Sequence, residues 1–119
     1  DVGSTVNAAA VVLAFQDRND TTFKSRLEQA ANALLNAQNP NGGWGAFPKT
    51  PGEPFETAMA LLALNTLRAR PDVEGRIVRG RTFLVTLETE EGGWAAETTY
   101  ARHISTSAWA TLALLSTKR

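Results

Sequence analysis

A chain of 119 residues, 43% hydrophobic and 20% charged, has the size and composition of one globular domain rather than a disordered or fibrous segment. Twelve Lys and Arg offset twelve Asp and Glu, so no excess positive field is present to draw in nucleic acid or an anionic membrane surface. With no cysteine and a single histidine, His103, disulfides, thiolate metal ligands and multi-histidine metal sites are excluded, while the compartment stays open.

The first predicted helix covers about residues 5–16 and holds the longest apolar run, Ala8 to Phe15. That run is far short of the roughly 20 residues needed to cross a bilayer. No basic segment precedes it, so it does not read as a signal peptide, and a start at Asp1 reads as a processed or excised piece. The second helix, about 22–37, carries Leu27, Ala30, Ala31, Leu34 and Leu35 at i, i+3, i+4, i+7 and i+8, with Lys24, Arg26, Glu28 and Asn32 on other faces. It is expected to lie on the surface with one side buried, capped by Asp20-Thr21-Thr22. Gly42-Gly43 is expected to end it through a positive φ, and Trp44 to pack back over its end.

The third helix, about 56–69, is apolar on every face from Ala58 to Leu64; Pro54 and Glu56 suit its first turn, and Pro71 follows it. The fourth covers about 73–88 and runs into Gly92-Gly93-Trp94, a second copy of the earlier turn. The fifth, about 105–116, is given Ser105-Thr106 as its cap. No stretch alternates as a strand would. The fold class is therefore all-α, with helices in the order inner, outer, inner, outer, inner, because a rod apolar all round has to be enclosed by others.

Shifting the chain by fifty residues explains the double Gly-Gly-Trp. Arg26, Leu34, Gly42, Gly43, Trp44 and Ala46 fall on Arg76, Leu84, Gly92, Gly93, Trp94 and Ala96, and Ala58, Ala60, Leu62, Ala63 and Leu64 fall on their counterparts at 108–114. A partial copy opens the chain, where Ala8, Ala10 and Arg18 match Ala58, Ala60 and Arg68. A period near fifty marks a repeated supersecondary unit. The whole chain, 1–119, reads as one domain with repeat units over about 7–56 and 57–106 and a final inner helix over 105–116.

The segment Arg79 to Trp94 resembles the QW motif of squalene-hopene cyclases and related terpenoid cyclases: a basic residue, a small one, an aromatic with an aliphatic after it, Gln, then Gly-x-Trp. Glu88 stands where the motif has its glutamine, and Gly92, Gly93 and Trp94 complete it. The first copy keeps Gln38, Gly42, Gly43 and Trp44 but lacks the basic residue and the aromatic. The resemblance implies an α/α toroid, the fold shared with protein prenyltransferase β subunits and the prenyltransferase and squalene oxidase repeat. It also implies that each QW turn ties outer helices together, the glutamine amide bonding backbone at the next helix start while the indole stacks over it.

Cyclases of this kind protonate an alkene or epoxide with the middle aspartate of Asp-x-Asp-Asp at the start of an inner helix. The matching positions here read Glu53-Pro54-Phe55-Glu56 and His103-Ile104-Ser105-Thr106, so neither copy carries the donor, and Phe55 stands in the place of the acid. The remaining catalytic candidates are Glu53, Glu56 and His103. A helix N-terminus favours the charged carboxylate, which suits Glu56 to first-turn capping rather than acid catalysis. His103 reads as a loop residue before an inner helix, exposed or structurally bonded, set against a general-acid or orienting role.

Phe55, Trp109, Tyr100 and Phe47 are the candidates for an aromatic ligand cavity, where ring faces would stabilise a carbocation, set against ordinary core packing. Zinc-dependent prenyl transfer fits poorly, since its Asp-Cys-His ligand set has no cysteine here, and no cofactor or metal is implied. A polysaccharide-lyase reading would rest on basic residues near the groove, Lys49, Arg102 and His103, in the two long loops expected after the tryptophans.

The resemblance implies a ring that closes with six inner and six outer helices, and three inner with two outer cannot close it. Apolar flanks are expected at both ends, to be covered by the remaining repeats of a longer parent or by self-association. Two functions stay open: a terpenoid-cyclase-like segment whose acid lies elsewhere and which walls a cavity for an apolar isoprenoid, or a non-catalytic repeat module for an apolar ligand or protein partner.

Overall fold

Five helices make up the regular structure: α1 (Thr5–Phe15), α2 (Thr21–Ala37), α3 (Pro54–Asn65), α4 (Glu74–Leu87) and α5 (Tyr100–Thr117). The computed structural model describes residues 4–16, 21–87 and 100–118, and for 100–105 the backbone alone. The described residues are all-α, with no strand among them, as the sequence predicts. None of their helices is long and apolar enough to cross a membrane.

Helix α3 is the hub. It packs against α1, α4 and α5, while α2 packs against α1 and α4 also touches α5. The N-termini of α1 and α3 meet the same loop: Thr5 N–H donates to Ala46 O (3.0 Å), and the Thr57 hydroxyl accepts from Trp44 N–H (2.9 Å). At the other end Arg68, just past α3, donates to Thr117 O at the end of α5 (2.7 Å). Helices α1, α3 and α5 therefore run in one direction as a layer, compatible with an arc of an α/α toroid.

Alanine makes that layer thin. Ala58, Ala60 and Ala63 of α3, Ala110 and Ala113 of α5 and Ala9 of α1 are all fully buried. With nothing beyond Cβ at these places, the helix backbones can approach closely. Leu34 from α2, Leu61 and Leu64 from α3, and Ile77 and Leu84 from α4 fill the space between the two layers. Enclosure is nearly complete for α3 only. Helix α1 exposes Ala10 and Ala14, and α5 exposes Trp109, Leu112 and Leu115 at i, i+3 and i+6.

Three sequence-based boundaries need correction. Helix α5 starts at Tyr100, not near residue 105, so Ser105-Thr106 is not its cap. The stretch 100–104 has no Gly or Pro to stop a helix, and Thr106 is packed inside, 4% exposed. Helix α3 ends at Asn65; beyond it Thr66 N–H donates to Ala63 O (3.1 Å), a tighter turn, and residues 66–69 are turns. The third concerns Gly42-Gly43, which do not end α2.

Helix α2 stops at Ala37, several residues before those glycines. Gly42 closes a turn with Asn39, its N–H donating to Asn39 O at 2.9 Å, and takes φ 95°. A Cβ on Gly42 would stand 2.4 Å from Arg79 O of α4, and one on Gly43 would stand 2.6 Å from the Phe83 ring. The pair is needed so that the turn can press its backbone on α4, which is a tertiary demand and not a helix-capping one.

Candidate functional site

The turn after α2 is a plug set into α3 and α4. The Trp44 side chain is fully buried, and its indole N–H donates to Leu34 O in the last turn of α2 (2.8 Å). Its backbone is held from below by Thr57, whose hydroxyl accepts from Trp44 N–H (2.9 Å) and donates to Trp44 O (3.3 Å), and by Glu53 N–H donating to that carbonyl (2.9 Å). The ring lies over Gly80 of α4, where a Cβ would come within 3.0 Å of Trp44 Cζ3 and 2.8 Å of Leu61 Cδ2. Gly80 is thus a seat for an indole.

Gln38 bonds the same two layers. Its amide donates to Gly42 O (2.9 Å) and to Arg76 O in the first turn of α4 (3.0 Å). Two carbonyl acceptors on one nitrogen fix which way the amide faces. Its oxygen, buried, has no hydrogen-bond partner among the described residues. The second copy of this turn, Glu88, Gly92, Gly93 and Trp94, lies outside the described residues.

The loop from Trp44 to Glu53 fills the end where α1 and α3 begin. The Thr5 hydroxyl donates to Gly45 O (2.6 Å), and a Cβ on Gly45 would collide with Thr50 Oγ1 at 2.1 Å, so the loop can fold on itself only with glycine there. Phe47 to Thr50 form a tight turn, with Thr50 N–H donating to Phe47 O (3.2 Å), Pro48 second and Lys49 third at φ 68°. This is the third position of a type II turn, which glycine suits best. Phe47 is exposed on this turn, at 44%.

The other site candidates distribute as follows. Glu53 is the N-cap residue of α3 and makes no side-chain cap bond, and Glu56 sits half-buried in the first turn. Phe55 and Trp109 come together across α3 and α5, edge to face, ring centroids 6.5 Å apart at 79°. Phe55 is half-buried and Trp109 is 37% exposed, so the pair is reachable from outside and is not sealed core. His103 and Arg102 belong to α5 and not to a loop, which corrects the expectation for both. The side chains of Tyr100 and His103 lie outside the described residues.

Four arginines hold carbonyls at or just beyond helix ends. Arg76 donates to Leu35 O in the last turn of α2, and Arg79 to Pro40 O (3.2 Å) in the turn beyond it, so α4 satisfies one carbonyl of the helix end and one of the turn. Arg81 donates to Leu114 O and to the Thr117 hydroxyl (2.8 Å) at the end of α5. Arg68 reaches Thr117 O while its guanidinium forks onto Glu74 at 2.9 and 3.2 Å. The sequence signals were the matches of Arg26 with Arg76 and of Arg18 with Arg68, and the place of Arg79 at the start of the QW-like segment. A single chain could not say that a guanidinium crosses forty residues to a carbonyl.

The chain is similar to drimenyl diphosphate synthase of Streptomyces showdoensis. The two are 37% identical over 75 residues, which is 60% of this chain and 14% of that enzyme. The chain therefore spans a small part of the relative, a terpenoid-cyclase-type enzyme, and the likeness is to that part. No family model matches the chain.

Proposed function

We propose that this chain is a segment of a terpenoid-cyclase-like α/α toroid. In this reading α1, α3 and α5 supply part of the wall of a cavity for an apolar isoprenoid, and the proton donor lies outside these residues. The observation that carries the reading is the Phe55–Trp109 pair, an accessible aromatic corner at the start of α3, in a chain similar to a drimenyl diphosphate synthase. Ring faces held at fixed angles stabilise cationic carbon without reacting with it. Phe55, at the place where the family's motif has its acid, has no proton to give. The Gln38 and Trp44 contacts support the family's architecture, because they tie α2 to α4 as a QW turn would.

The polyprenyl diphosphate probe is suggested by the relative, whose name gives a diphosphate as its product. Incubated with squalene or with a polyprenyl diphosphate, the chain is expected to bind at least one and to convert neither. Trp109→Ala should weaken that binding. Product made by this chain would overturn the placement of the donor elsewhere, and binding of neither probe would overturn the cavity wall. Phe55 also supports the second reading, a non-catalytic repeat module, which an Asp-x-Asp-Asp in another repeat of the parent would exclude.

A further inference from the structure

On α3 every residue from Thr57 to Leu64 is buried except Met59 and Leu62. These two are half-buried and continue the half-buried Phe55 at i, i+4 and i+7. That spacing puts the three side chains on one face of the helix, and Phe55 marks where the face looks, because its ring meets Trp109 of α5. Fifty residues on, Met59 and Leu62 become Trp109 and Leu112, both exposed. Fifty residues back they become Ala9 and Val12, both fully buried. The uncovered face therefore spans α3 and α5, and α1 bounds it.

At one register position the three helices carry side chains of rising size, Ala9, Met59 and Trp109, and exposure rises with them. Met59 holds the middle of the face. It is the one methionine of the chain, an unbranched thioether on three rotatable bonds, and it adapts its shape to what lies against it as the flat ring of Phe55 cannot. It stands four residues from Phe55, about 6 Å along the helix axis, a distance comparable with the length of one isoprene unit.

We propose that Met59 is the specificity-determining residue of the cavity wall, its side chain setting how far a polyprenyl chain extends along α3 from the Phe55–Trp109 corner. The proposal rests on the cavity-wall reading and adds a chain-length preference to it. Phe55 and Trp109 offer ring faces to whatever reaches the corner and so do not discriminate by length. Leu62 lies a further turn away, where a chain arrives only after passing residue 59.

The test is isothermal titration of the full chain with geranyl, farnesyl and geranylgeranyl diphosphate. Met59→Ala should shift the ratio of dissociation constants toward the longer probes by about tenfold, the lower end of what one methylene decides in a hydrophobic pocket. Met59→Trp, which copies the residue of α5, should shift it toward the shorter ones, and Met59→Leu, which keeps the volume, should leave it in place. Ratios untouched by Met59→Ala and Met59→Trp, or all three probes weakened by one common factor, would overturn the proposal, while a weakening by Trp109→Ala in the same titrations would leave the wall standing. Binding of no probe by the unaltered chain would overturn the wall, and the proposal with it.

Discussion

The Trp44 seat on α3 and α4 and a groove between α1 and α2 are built from positions fifty residues apart, yet one is full and the other open. In the first, an indole covers Gly80, Arg76 takes a carbonyl of the last turn of α2 and Arg79 one of the turn beyond, and a threonine holds the turn's backbone. In the second, Ala30, Arg26 and Asn7 face a groove. The difference teaches that the Gly-Gly-Trp turn is not a local device of the helix before it. At Trp44 it is the contact through which the turn after α2 grips α3 and α4.

The comparison breaks most severely at Trp44. Trp44→Ala should empty the filled seat and cost about 3–5 kcal/mol, by removing a fully buried ring that the surroundings cannot collapse upon. Urea unfolding would measure it; a loss under about 1 kcal/mol, the scale of a surface change, would deny that the seat matters. Next come the two arginines. Arg76→Ala leaves the Leu35 carbonyl without its guanidinium and should cost about 1–2 kcal/mol, while Arg26→Ala should stay within about 0.5 kcal/mol. Equal costs from matched melts would mean that the seat and the groove do not differ in occupancy.

A methyl exchange between matched positions sharpens the comparison at smaller amplitude. Gly80→Ala alone brings a Cβ within 2.8 Å of Leu61 Cδ2. Combined with Leu61→Val, which copies Val11 and Ala30 of the α1/α2 groove, it should be less harmful than the sum of the singles by roughly 0.5–1 kcal/mol. Strict additivity in the double-mutant cycle would show that the ring and leucine do not share that space. The least effect is expected outside both regions: Lys49→Gly relieves φ 68° in the Phe47–Thr50 turn and should raise stability by up to about 1 kcal/mol. A fall in the midpoint would mean that the lysine side chain contributes something the backbone does not reveal.

Much of the fold was legible because it rests on local periodicity. The stripe Leu27, Ala30, Ala31, Leu34 and Leu35 declares a one-sided helix, and Ala58 to Leu64 an enclosed one; Ala30, Ala31, Leu34 and Leu35 are buried and Leu27 half-buried, as the pattern requires. What stayed hidden depends on distant partners. Gly42 and Gly43 looked like a helix stop, yet their reason is the nearness of Arg79 and Phe83. The start of α5 was misplaced because Ser and Thr favour caps over helix interiors, whereas here the pair lies inside Tyr100–Thr117 and Thr106 is buried by packing. Phe55 and Trp109 were singled out as separate aromatics; their meeting edge to face needed the packing of α3 on α5.

The seat occupied by Trp44 underlies the toroid reading proposed above, because it joins the turn after α2 to α3 and α4. Proton NMR with hydrogen exchange on the intact chain would follow the Trp44 indole N–H and its contacts. The account predicts an indole proton that exchanges only with global unfolding, with nuclear Overhauser contacts to the Gly80 α-protons and a Leu61 methyl. A freely exchanging indole with no such contacts would contradict it.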